Sequence, residues 1–379
     1  MRILNALTYY RPHVSGLTIY AERLARGLAR RGHTVTVLTS QFHPSLAPRE
    51  VVDGIEVVRV PVARKLSKGV IMPLFPVYAA AQIARHDALI IHVPQLEAAG
   101  LALLGRLAGR RVVLKYHCDL TLPHGLLNRI VQGSLGPLNH IAASLAHHIV
   151  ASSDDYARHS ALLRRYNAKV TAITPLIATP AVDPQRTRAL AQSWGLTGRP
   201  CIGFAARFAA EKGVEFLLRA LPQVLAQIPE VCVVFTGACK DTVGEEAYLE
   251  RLRPMLQQYA DHLVFLDLLR DDEMPSFFAA CNVLAVTSLN STEAFGMSQA
   301  EAMLAGTPAV ATDLPGVREP VRRTGMGEIV APHDPEALAQ ALVRIIRQRP
   351  QYERPHTEVL RCFDPEVSID QYERLCAGK

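Results

Sequence analysis

Short apolar runs alternate with helix-patterned segments along nearly the whole chain. That rhythm restricts the fold to parallel sheets with helices on both faces. The run RILNAL precedes GLTIYAERLARGLARRG, in which Leu17, Tyr20, Leu24 and Leu28 share one helical face and Gly32 supplies a C-terminal cap. TVTVLTS, GIEVVRVPV, DALIIHVP, RVVLKYH and HHIVASS continue the series. At 174–184 it breaks in TPLIATPAVDP, a proline-bearing connector. A second series follows: PCIGFAARF, VCVVFTGAC, HLVFLDLL, CNVLAVTSL, TPAVATDL and GEIVAP. At 379 residues the chain exceeds the size at which one core stops growing, so the sequence predicts two successive doubly wound α/β domains. Ligands of such sheets sit beyond the carboxyl ends of the strands.

No apolar run is long enough to span a bilayer, and MRILNALTYYRPH reads as a first strand rather than a signal-peptide core. The seven cysteines are odd in number and form no CxxC pair, which fits reduced core residues of a cytosolic protein. The net charge of +6 is unevenly spread. Residues 1–178 hold 21 Lys and Arg against 9 Asp and Glu, a balance of +12, and the remainder balances at −6. The first half therefore reads as facing an anionic partner or as a solvated basic surface. A nucleic-acid partner is not expected, because interleaved aromatics and a recognised binding motif are lacking.

Neither half carries GxGxxG after its first strand, which weakens a dinucleotide reading. GFAARFAAEKGVEFLLRAL places Arg207 just past a strand and Lys212 before Gly213 as a helix begins. Arginine grips a diphosphate with paired donors, lysine adds a point charge and glycine permits close backbone approach. The alternative is two surface charges on a turn. In NSTEAFGMSQAEAML, Glu293 falls in the loop after the strand NVLAVTS, and Gly296 and Met297 open a helix. The amides of Phe295, Gly296 and Met297 favour an anion. Glu293 and Glu301 are then placed to accept hydrogen bonds from hydroxyls on either side of that anion, the description of a nucleotide sugar. Glu301 also reads as an exposed helix glutamate.

EAFGMSQAE resembles the Glu-x7-Glu motif of the retaining glycosyltransferases of family 4. YYRPHVSGLTIYAERLARGLARRGHTVTVLTS, RFAAEKG and AMLAGTPAVATDLPGVRE are similar to other family segments in the same order. The resemblance implies the GT-B architecture: two Rossmann-like domains facing a cleft, the first spanning 1–176 and completed by a last helix in 363–379, the second spanning 177–362. It implies that Arg207 and Lys212 neutralise the donor diphosphate and that Gly16 lets the first-domain loop approach donor and acceptor. Glu293 would bind the transferred sugar and Glu301 the ribose. His117, in KYHCD, would line the sugar site beside the reacting carbon, and Asp119 would orient His117 or the acceptor hydroxyl. On the residues alone, His117 also reads as a structural strand-end histidine and Asp119 as a turn residue. The implied chemistry is transfer with retained configuration, the leaving phosphate helping to take the acceptor's proton. Neither a metal nor another cofactor is required; Asp271, Asp272 and Glu273 fit a helix start. The paired glycines usual near the amino terminus are replaced by Ser15-Gly16-Leu17-Thr18, and Ala206 stands where a glycine commonly precedes the arginine.

The basic half bears on the acceptor. VARKLSKGVIMPLFPVYAAAQIARH joins Arg64, Lys65 and Lys68 to Ile71, Met72, Leu74, Phe75, Val77 and Tyr78, a basic-apolar combination suited to an anionic membrane surface. Pro73 and Pro76 count against a regular helix across it. The other reading is a buried loop and helix with incidental charges. The expectation is a glycosyltransferase using a UDP-sugar in preference to a GDP-sugar. Its acceptor is a lipid or lipid-linked glycan, on the cytoplasmic face of the membrane. A soluble acceptor, or a nucleotide-sugar epimerase or hydrolase, is the alternative.

Overall fold

The computed structural model of the chain describes residues 1–66, 69–119, 126–178, 181–238 and 245–378. They form two compact units, Met1–Leu176 with Asp364–Lys379, and Ile177–Phe363. Lys68, and Cys239 among the seven cysteines, lie outside the described residues.

In the first unit the strands run from edge to edge in the order Val170–Ala172, His148–Ala151, Arg111–Tyr116, Ala88–Val93, Arg2–Ala6, Thr34–Gln41, Ile55–Pro61 and Arg49–Val52. All pairings are parallel except the last, where Arg49–Val52 turns back on Ile55–Pro61. Ala88–Val93 is buried at every position, as a parallel strand covered on both faces requires. The helix Gly16–Arg30 follows the first strand. Ser15 caps it, accepting from the Thr18 amide while Thr18 reciprocates to the Ser15 amide, and Gly32 closes it with a φ of 82°. Tyr20, Leu24 and Leu28 are buried from the predicted face, and Leu17 is half-buried.

The basic-apolar segment takes a more ordered form than its prolines imply. Arg64–Leu66 and Gly69–Ile71 pair as an antiparallel hairpin, and a helix runs over Phe75–Ile83. Pro76 sits in the first turn of that helix, where no intrahelical N–H is needed, so it starts the helix instead of breaking it. Arg64 and Lys65 are exposed, as are Ile71, Leu74 and Val77, whereas Met72 and Phe75 are buried. No helix among the described residues is long and apolar enough to cross a membrane.

In the second unit six parallel strands run in the order Leu263–Phe265, Cys232–Thr236, Cys201–Ala205, Val283–Val286, Ala309–Thr312 and Gly327–Val330. Period-two alternation sends Ile202, Phe204, Val233 and Phe235 into one core, under the helices Val214–Leu225 and Pro335–Arg347. Cys201, Cys232, Leu284 and Ala311 enter the other, with Phe277, Met303 and Phe363.

The last helix, Pro365–Ala377, packs within the first unit. Tyr372 and Tyr20 are both buried, and their hydroxyls bond at 2.7 Å. Ser368 donates to the Thr174 carbonyl at 2.8 Å, and Gly27 leaves room for Ile369. Replacing Tyr372 by Phe strands the Tyr20 hydroxyl away from water and is expected to lower the unfolding free energy by about 1–3 kcal/mol. Urea unfolding of the intact chain measures this; an unchanged midpoint would mean the pair contributes nothing.

Candidate active site

In the second unit the sheet order reverses between Cys201–Ala205 and Val283–Val286, since later strands continue on one side and earlier ones on the other. At such a switch point the loops leaving two adjacent strands diverge and leave a crevice at their carboxyl ends. Here those loops are 206–213 and 287–296. They are stitched together: the Thr287 hydroxyl donates to the carbonyls of Lys212 at 2.7 Å and Gly213 at 3.1 Å, and the Leu289 amide donates to the Glu211 carbonyl at 2.9 Å. Gly213 has a φ of 65°, and a Cβ there would lie 2.2 Å from the Thr287 carbonyl oxygen. Only glycine permits this approach.

The stitching brings three of the predicted residues together. Lys212 Nζ donates to Glu293 Oε2 at 2.5 Å, and the Gly296 amide donates to Glu293 Oε1 at 2.8 Å. Burial pushes the Glu293 carboxyl up, but Lys212 and the amides of Gly296 and Phe295 outweigh it and hold the group below the ordinary glutamate range. Gly296 has a φ of 76° and caps the helix Met297–Leu304. The carboxylate on the helix-opening amides is thus Glu293 itself, a pairing that the spacing of the two glutamates does not reveal. Arg207 pairs with Glu211, and its Nη1 lies 3.9 Å from buried Glu245, which also accepts from the Ala210 amide at 3.1 Å. Both cations therefore carry carboxylate partners. Phe295 is buried against Phe363, Met297 is half-buried at the edge of the same core, and Glu301 is half-buried one turn into the helix.

In the first unit the order reverses between Arg2–Ala6 and Ala88–Val93. Gly16 is the exposed first residue of its helix. His117 follows the strand Arg111–Tyr116 and belongs to a chain that sequence reasoning missed: Asn5, His92, His117. His92 lies 2.8 Å from His117 through Nδ1 and 2.5 Å from Asn5 through Nε2. Its rings stack on His117 with centroids 5.1 Å apart, and Tyr20 meets His117 edge-on at 5.1 Å. Burial, then the charge of Lys115, holds His92 at about 3, and burial with His92 and Lys115 holds His117 well below the usual histidine range. Lys115 is itself buried, bonded to Ser152 at 3.0 Å and pushed down to about 7 by burial. The apolar run that marks Ala88–Val93 as a buried strand gave no reason to single out His92. Gln95, just beyond that strand, is buried with an amide nitrogen that has no hydrogen-bond partner among the described residues.

Asp119 is held by three hydroxyls of the first unit. Its carboxylate accepts from the hydroxyls of Tyr116 at 2.7 Å, Ser160 at 2.9 Å and Tyr156 at 3.0 Å, and its amide donates to Tyr156 at 2.6 Å. These bonds tie the segment after the strand to the helix Asp154–His159 and its end.

The chain matches two families: "Glycosyl transferase 4-like domain" over residues 15–175 and "Glycosyl transferases group 1" over residues 199–348. It is 26% identical to a phosphatidyl-myo-inositol mannosyltransferase of Mycobacterium leprae, across 99% of this chain and 96% of the relative. It is 28% identical to a 2-deoxystreptamine N-acetyl-D-glucosaminyltransferase of Streptomyces fradiae, across 86% and 82%. Among solved structures, Anabaena HepE in complex with UDP and glucose superposes with a TM-score of 0.78 at 20% identity, covering both chains fully. Sucrose-phosphate synthase from Thermosynechococcus elongatus gives 0.77 at 20% identity, with the same coverage.

The buried histidines fix a pH dependence. His92 titrates near 6.5 in an unfolded chain and at about 3 here, so its neutral form contributes stability in full above pH 6.5 and loses it as pH falls toward 3. Between pH 7.5 and pH 5 that amounts to about 2 kcal/mol for this one residue. Unfolding free energies measured at the two values should show the drop, and His92→Gln should reduce it. An equal drop in the variant would contradict the assignment.

Proposed function

We propose, proceeding from the fact that the chain belongs to the family 4 glycosyltransferases of GT-B fold, that its second domain binds a nucleotide-diphosphate sugar. Its first domain, in this reading, presents a lipid-linked acceptor. The observation that carries the donor assignment is the constellation at the switch point: Glu293, on one loop, bonds both to the Gly296 amide and to Lys212 of the neighbouring loop, which also bears Arg207.

A diphosphate entering this crevice exchanges the carboxylate partner of Lys212 for phosphate oxygens. Arginine's five donors allow Arg207 to keep Glu211 while turning a free edge to the ligand. Glu293, released from Lys212 and from the helix start, then accepts from sugar hydroxyls, and the opening amides of the Met297–Leu304 helix turn to phosphate. Glu301 takes the ribose. Fixed cations and amides stabilise charge as it develops on the leaving diphosphate, without reorganising at the moment of reaction. No protein base is assigned. The leaving phosphate assists the acceptor's deprotonation, and configuration is retained. A UDP-sugar is favoured, in keeping with the nucleotide in the HepE complex.

The lipid-linked acceptor is supported by the mannosyltransferase named for phosphatidyl-myo-inositol and by the exposed Arg64 and Lys65 beside exposed Ile71, Leu74 and Val77. These residues suit peripheral contact with the anionic cytoplasmic face of a membrane. The 2-deoxystreptamine relative favours a soluble acceptor as the second reading.

Release of nucleoside diphosphate from a panel of nucleotide sugars, with and without membrane lipid extract, tests the assignment. Lipid-dependent release with a new glycolipid is expected, and Glu293→Ala or Lys212→Ala should each reduce it about 100-fold or more in a folded protein. Interconversion of sugars without acceptor would overturn the reaction class. Variants active within a few-fold of the parent would overturn the donor site.

A further inference from the structure

We propose that Asn5 and His92 are positioning residues that fix His117 in one tautomer, with its Nδ1 presenting a lone pair to a hydroxyl of the bound substrate. The proposal rests on the reading that His117 meets substrate. The tautomer itself follows from the hydrogen-bond chain alone.

The polarity is set at Asn5. The Asn5 side-chain nitrogen donates to the Ala21 carbonyl at 3.2 Å, which orients the amide and turns Oδ1 toward His92. An amide oxygen only accepts, so His92 Nε2, 2.5 Å away, must carry a proton. In a neutral imidazole the other nitrogen is then bare, and His92 Nδ1 can only accept. His117 Nε2, 2.8 Å from it, must therefore donate. A neutral His117 protonated at Nε2 has its lone pair at Nδ1. Among the described residues no partner engages that atom, whereas the ring itself is held by stacking on His92 and by the edge of Tyr20. Tyr20 is in turn fixed by its bond to Tyr372 and by the Lys115 ammonium 4.7 Å from its ring centre. Every link is buried or half-buried, so water does not scramble the order.

A histidine fixed this way accepts from a hydroxyl and cannot donate to it. The site would select a substrate with a hydroxyl hydrogen at this position and discriminate against an analogue carrying hydrogen or fluorine there, since neither donates.

The test uses the whole chain with ring-nitrogen-labelled histidine, and NMR reads which nitrogen of His117 is protonated at neutral pH. The expected spectrum shows a proton on Nε2 and a bare Nδ1. His92→Phe removes the acceptor and should mix the His117 tautomers. It should lower turnover on the nucleotide sugar that the parent uses by roughly tenfold or more, while nucleoside diphosphate binding is unchanged. His92→Gln can donate to Asn5 and accept from His117 with one amide, and should restore both the tautomer and most of the turnover. A proton on Nδ1 of His117 in the parent overturns the proposal, as does a folded His92→Phe variant with turnover within a few-fold of the parent. Should that variant fail to fold, the parent and His92→Gln spectra decide. Absence of turnover by the parent on every donor would sink the functional reading and the substrate half of this proposal, leaving the tautomer to be read separately.

Discussion

The contact between Gly213 and Thr287 determines what the second domain can present. Two loops leave neighbouring strands at the point where the sheet reverses, and they would diverge but for a backbone approach too close for any Cβ. The Thr287 hydroxyl ties both Lys212 and Gly213 to the opposing strand end. Because of that approach an ammonium from one loop and a carboxylate from the other meet over the start of a helix. The glycine and the threonine act through geometry and need not touch a ligand.

The cations of the crevice are paired with carboxylates, so binding a diphosphate there is an exchange of anions. This has a physical advantage. A half-buried lysine without a partner would leave an uncompensated charge, whereas one held by a carboxylate is compensated and kept in place. In the proposed reading Glu293 serves twice, as the counter-ion of Lys212 and then as the acceptor of sugar hydroxyls. A residue with both functions has to be near the phosphate site and able to turn from it, which its position in the loop before the helix allows.

The two α/β series, the strand positions and the face buried by the first helix were legible in the sequence, because parallel strands covered on both faces leave apolar runs that a polar surface cannot imitate. Lys212 with Gly213, and Glu293 with Gly296, were legible as loop residues at strand ends. Their mutual pairing was not, since it depends on which strands are neighbours across 81 residues. The Phe75–Ile83 helix was obscured by Pro76, whose meaning reverses between a helix interior and its first turn. Asp119 was legible as a polar residue beside His117 but not as the acceptor of three hydroxyls, two of them from residues 156 and 160. His92 was hidden most completely: a histidine in an apolar strand has no sequence signature of the Asn5 and His117 that fold places against it.

The most direct test of the account is the structure of the chain with a nucleoside diphosphate bound, read at one carboxylate. The account predicts phosphate oxygens on Lys212 and on the amides that open the Met297–Leu304 helix, with Glu293 withdrawn from both. A diphosphate bound elsewhere, with Glu293 still on Lys212 and the Gly296 amide, would contradict it.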